Sequence, residues 1–193
     1  AANNAFLEWP AYNRMIGPGW REPSFGPSLV VADSGAVRRI PAGQGRPPGH
    51  GPSHDFEVVA LAAEHPIYRG LPPRWLHPHE QLTHGQHGPA ENLTVLSYAW
   101  SKDTGENEPV DWTVAFERGR VYTTMLGHTS TRVVDSNRNL RCVGFQTVLA
   151  RAIEWAATGE ATLPAPTEFP GPGRALLNDL VPPNDRRIGT LVG

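Results

Sequence analysis

Eight histidines dominate the polar chemistry open to this chain, and seven of them, His50, His54, His65, His77, His79, His84 and His87, fall between positions 50 and 87. Neutral imidazole ligates borderline metals and also pairs with hydroxyl groups, so such a cluster in loops suits a metal or polyol site. The spacings His50-x3-His54, His77-x-His79 and His84-x2-His87 match no zinc signature closely, and the single cysteine, Cys142, supplies no thiolate pair. A divalent metal such as zinc is therefore an option that the spacing permits without specifying. His128 follows Gly127 at the exit of an apolar run, where a strand end in an open α/β sheet presents side chains to ligands; the competing reading is a turn histidine bonded to the next loop. Glu80 and Gln81 stand among His77, His79, His84 and His87, so the acid is placed either to act as a general base or to sit solvated in a loop. Trp20 and Arg21 lie in a Gly/Pro-rich excursion, where an indole stacks on a flat ligand face and a guanidinium grips hydroxyls, or where both simply anchor the loop. Trp75, Trp112 and Trp155 read as core, and Cys142 as a packed thiol. There is no Gly-rich phosphate loop, no GxSxG elbow and no CxxC pair.

These residues need a scaffold, and the hydrophobic pattern supplies one. Phe6 to Gly17 reads as a short helix with Trp9, Tyr12 or Asn13, and Ile16 on one face, stopped by Gly17-Pro18-Gly19. Leu29 to Val31 and Val37 to Ile40 are dense enough for short strands inside a long loop-rich stretch. Asp55 to Leu61 alternates as a strand, with a loop expected after Pro72. Leu93 to Trp100 is rich in β-branched and aromatic residues, as in a sheet covered on both faces. Val110 to Phe116 and Arg120 to Leu126 form a hairpin around a three-residue turn, Glu117-Arg118-Gly119. Phe145, Val148, Leu149, Ala152, Ile153 and Ala156 keep helical spacing from Val143 to Thr158, and Gly159 follows as a C-cap. The strand-loop-helix order is α/β. Residues 1–162 are expected to form the domain, and the Pro-rich 163–193 a surface tail.

Composition narrows the function classes. Twenty glycines and 20 prolines in 193 residues predict a loop-rich globular protein. A net charge of -2 without a basic stripe excludes a nucleic-acid footprint. No apolar run approaches the ~18 residues needed to span a bilayer, so no membrane span is expected. The compartment stays open between cytoplasm and export, as does the oligomeric state.

Taken in order, the motifs resemble the trehalose-utilisation (ThuA-like) family. They are Ala1-Ala2-Asn3-Asn4-Ala5-Phe6 with Trp9 and Tyr12, Gly19-Trp20-Arg21, Gly49-His50-Gly51-Pro52 with His54, and His65-Pro66-Ile67 with Gly70-Leu71-Pro72. Later come His84-Gly85-Gln86, Leu126-Gly127-His128, and Cys142-Val143-Gly144-Phe145-Gln146 with Glu154-Trp155. The resemblance covers about residues 1 to 172. It implies the flavodoxin-like, class I glutamine amidotransferase-like three-layer sandwich, with the first βα units lying before Ala1, and it makes glutaminase chemistry improbable because no residue here matches the nucleophilic cysteine. Many relatives carry Asp-Glu-Leu-Tyr where this chain has Glu80-Gln81-Leu82-Thr83, so the family's acid is shifted to Glu80 or replaced by Gln81.

The reading that joins residues and resemblance is a carbohydrate-processing protein acting on a glycoside or keto-sugar derivative. His128, His54, Glu80 and His84 are its expected catalytic group, and Trp20, Arg21, His50, Gln81 and His87 its expected substrate contacts. The rival is a non-catalytic sugar- or partner-binding module of the same fold, with a histidine-held divalent metal compatible with either.

Overall fold

A computed structural model describes residues 4–128 and 137–179. Among the described residues the β-branched and aromatic runs build a separate two-stranded sheet and a main sheet of seven strands. Its longest members are β7 (Leu93–Ser101) and β8 (Glu106–Phe116), which pair antiparallel through a turn closed by Gly105. On the far side of β7 lie β4 (His54–Ala60) and then β5 (Arg74–Glu80). The other edge of β8 is shared by β1 (Ser28–Val31), which is followed by β2 (Val37–Ile40), and by β9 (Gly119–Thr124). Every ladder among the described residues is antiparallel.

Among the described residues three α-helices complete the α/β class: α1 (Pro10–Ile16), α2 (Arg138–Arg141) and α3 (Val143–Thr158). The apolar stripe of α3 buries Phe145, Val148 and Ala152 against Phe56, Val58, Trp75, Leu96, Ala99 and Val110 of the sheet. Gly159 ends that helix in the left-handed conformation, as its position predicts. Gly144 lets α3 lie on Trp75 closely enough that a Cβ there would come within 2.5 Å of the indole. Trp75 and Trp112 are fully buried, Trp155 packs against the same core, and burial pushes the Cys142 thiol up, in keeping with a packing role.

The structure departs from the sequence pattern in three places. A strand, β5, occupies the stretch expected to be loop after Pro72. The β8–β9 hairpin turns on two residues, Glu117 and Arg118, with Glu117 at φ 52 and Gly119 already paired to Phe116. On β7, expected to be covered on both faces, Val95, Leu96, Ser97 and Ala99 are buried but Trp100 near its end is 55% exposed. Beyond α3, Val143 N–H donates to Leu176 and Asn178 N–H to Arg141, while Leu76 N–H donates to Gly171. These bonds lay the first part of the Pro-rich segment over α2, α3 and β5; positions 180–193 lie outside the described residues. Among the described residues no helix is long and apolar enough to cross a membrane.

Candidate active site

At one end of the main sheet a hollow of about 590 Å³ is walled by Asn4, Trp20, His50, Gln81, Thr83 and the run from Val121 to His128. Each side chain arrives on a different element. Trp20 follows α1, His50 ends β3 (Gly49–His50), Gln81 leaves β5, Thr83 opens β6 (Thr83–His84) and His128 leaves β9. The β3–β6 ladder sets Gly49 opposite His84 and His50 opposite Thr83. Any Cβ on Gly49 would meet the His84 ring at 2.7 Å, so glycine is what allows His50 to be carried over that ring. Three rings then run along the mouth: Trp20 lies 5.8 Å from His50, and His50 lies 5.9 Å edge-on from His128.

A buried carboxylate holds the wall behind His128. Glu80 is 1% exposed and its Oε2 accepts from Gly127 N–H at 2.7 Å, His128 N–H at 3.2 Å and Asn139 Nδ2 at 2.7 Å. Its Oε1 accepts from Gln81 N–H at 3.0 Å, and His77 Nε2 stands 3.5 Å away from Oε2. Burial alone would raise the Glu80 pKa, but the bonds from His77, Asn139 and Gly127 outweigh it and hold the carboxyl below its usual value. Asn139 Nδ2 also donates to the His128 carbonyl at 2.7 Å, so that residue's backbone is held on both sides.

The family model for ThuA, trehalose utilisation, matches residues 1–156. This chain belongs to the ThuA family. The crystal structure of a ThuA-like protein from Parabacteroides merdae ATCC 43184 has the same fold, with a TM-score of 0.84 and 33% identity over 92% of this chain. The present ThuA chain spans 65% of that protein's length. No curated protein matches it significantly.

Within this ThuA domain the expected site residues divide. Trp20, His50, Gln81 and His128 are brought together on the hollow. His54 is not: its Nδ1 lies 3.0 Å from the Pro52 carbonyl, and its ring lines a second hollow with Asp33, Asp55, Tyr98 and Trp100. His84 lies beneath Gly49 rather than on the wall; burial lowers its pKa, Asp103 opposes that, and Arg46 and His50 add to it. Glu80 is a wall support, since no carboxyl oxygen of it reaches the cavity lining.

Arg21 and His87 lie off the lining of this hollow and bond to protein groups. Arg21, 4% exposed, donates from Nε and Nη2 to Asn13 Oδ1, and from Nη2 to the Ala5 carbonyl at 2.6 Å. Asn13 in turn donates to the carbonyls of Phe6, Leu7 and Trp9, so the guanidinium fixes the segment that carries Asn4 to the hollow. His87 is fully buried with Nδ1 2.9 Å from the Gly26 carbonyl and Nε2 2.7 Å from that of Arg46, joining two loops.

Two further residues support the wall, His77 from the histidine cluster and Asn139, which no sequence motif marks. His77 is fully buried between Phe56, Trp75 and Phe145, and Asn139 is fully buried on α2. Their contacts with Glu80 emerge only in the fold. Among the described residues no three of His, Cys, Asp or Glu gather with the geometry to hold a metal ion.

Proposed function

We propose that the hollow binds a carbohydrate, and that His50 and His128 carry proton transfer on a glycoside or keto-sugar derivative held there. The observation that supports this most is the convergence of an indole, two imidazoles and a side-chain amide on one cavity whose described lining includes no Lys, Arg, Asp or Glu side chain. An indole offers a flat apolar face to the C–H side of a sugar ring. Gln81, Asn4 and Thr83 offer donors and acceptors for its hydroxyls, and the buried Gln81 Oε1 has no protein partner. A lining of this kind favours a neutral sugar over a phosphorylated one, because burying an unpaired phosphate is costly. Imidazole is the side chain best suited to exchange protons near neutrality.

The second reading, binding without turnover, is favoured by Gln81, an amide where many relatives carry an acid. Calorimetry with trehalose, keto-trehalose and trehalose phosphate, followed by mass spectrometry of the mixtures, separates the two. Binding of the neutral sugars with a new product that His128→Ala abolishes is the expected result. Binding with no product in any mixture would leave the second reading, and no heat from any neutral sugar would overturn both.

A further inference from the structure

A β-strand alternates its side chains, so residues three apart face opposite ways. His77 and Glu80 on β5 nevertheless turn to the same buried side, their side chains 3.5 Å apart. The register explains it: His54 pairs with Glu80 and Phe56 with His77, so Asp55 alone stands opposite both Pro78 and His79. This is a β-bulge, which adds one residue to a strand and re-aims the side chains beyond it. His79 takes φ 50 to make it, and its N–H is fixed by Asp55 Oδ1 at 2.9 Å. Pro78, which has no N–H to offer a ladder, occupies the irregular position.

We infer that this bulge makes Glu80 a positioning residue, which with Asn139 sets the spacing of Gln81 and His128 on the wall of the hollow. One carboxylate accepts the backbone N–H groups of Gln81, Gly127 and His128, which belong to two separate segments of the cavity lining. A carboxylate suits this place because it is acceptor-only, with about four lone-pair sites for the donors that converge on it. Asn139 closes the frame by donating to Glu80 and to the His128 carbonyl together. With its backbone held at both ends, His128 keeps only its side-chain torsions free, and its ring faces His50. What the spacing serves rests on the proposed sugar reading; the spacing itself does not.

The test uses the whole chain, with nuclear magnetic resonance of the Gln81, Gly127 and His128 amides and of the His128 ring, and trehalose as the ligand probe. In Glu80→Gln, an amide NH₂ replaces one acceptor, so the Gly127 and His128 amide protons move upfield and the His128 ring signal shifts or broadens. Trehalose affinity falls about ten- to a hundredfold, the effect of a small misplacement. Asn139→Ala, which frees the His128 carbonyl and leaves Glu80 its backbone donors, moves the His128 signals in the same way. A role in stability alone would lower the melting temperature yet leave all these signals in place, and that result overturns the inference. Should Glu80→Gln fail to fold, hydrogen exchange in the unaltered protein decides: slow exchange at Gly127 and His128 supports the clamp, and fast exchange at both overturns it. If the unaltered protein binds no trehalose, the sugar reading fails while the amide and ring signals still judge the clamp.

Discussion

Two acids buried on β8 tie the stability of the molecule to pH. Asp111 is fully buried, and burial raises its pKa to about 6 although Tyr68, Ser97 and Tyr122 hydroxyls all donate to it. Glu108 is raised to about 7, again chiefly by burial, against the Thr104 hydroxyl and the Gly85 N–H. Both folded values lie above the ordinary carboxylate values of 3.8 and 4.5, so the folded state binds these protons more tightly than the unfolded chain. Their contribution is therefore fully present below the ordinary range and is lost as pH rises through about 6 to 7. Glu80 acts oppositely, since its lowered pKa gives stability that disappears on acidification. Denaturant titration should show stability falling between about pH 4 and pH 7, with Asp111→Asn removing roughly 2–3 kcal/mol of that fall. A flat profile in the unaltered protein would contradict this. Residue type alone did not separate Arg21 and His87 from the true wall residues, because a backbone carbonyl and a sugar hydroxyl ask for the same donor.

At the scale of elements, the parts with unbroken periodicity could be read from the sequence. The bounds of α3, Val143–Thr158, follow from its three-four spacing and Gly159, and β7 from its β-branched run. Strand β5 could not be read, because Pro78 and the bulge interrupt the alternation that marks a strand. That same irregularity is what turns Glu80 toward His128. Close approach of α3 to β5 depends on Gly144, and Gly144→Ala should lower stability by about 1–3 kcal/mol through overpacking on Trp75, despite the better helix propensity of alanine. Chemical denaturation measures this directly, and an unchanged or higher midpoint would mean that the indole gives way at no cost.

Over the whole molecule, histidine clustering in the sequence pointed to a shared site, and the fold honours it only in part. Seven histidines lie on or between β3 and the loop after β6, and neighbouring strands send them to different sides. His77 enters the core, His54 turns to the second hollow, His87 ties loops, and only His50 joins His128. The ThuA domain thus gathers Trp20, His50, Gln81 and His128 on one hollow, while the sheet and α3 form the packed core behind it. The measurement that tests this placement most directly is a trehalose titration monitored through the ring resonances of the individual histidines. The His50 and His128 signals should move together along one binding curve while those of His54 and His87 stay still. Movement of His54 with His50 and His128 unchanged would put the ligand in the other hollow and contradict this placement.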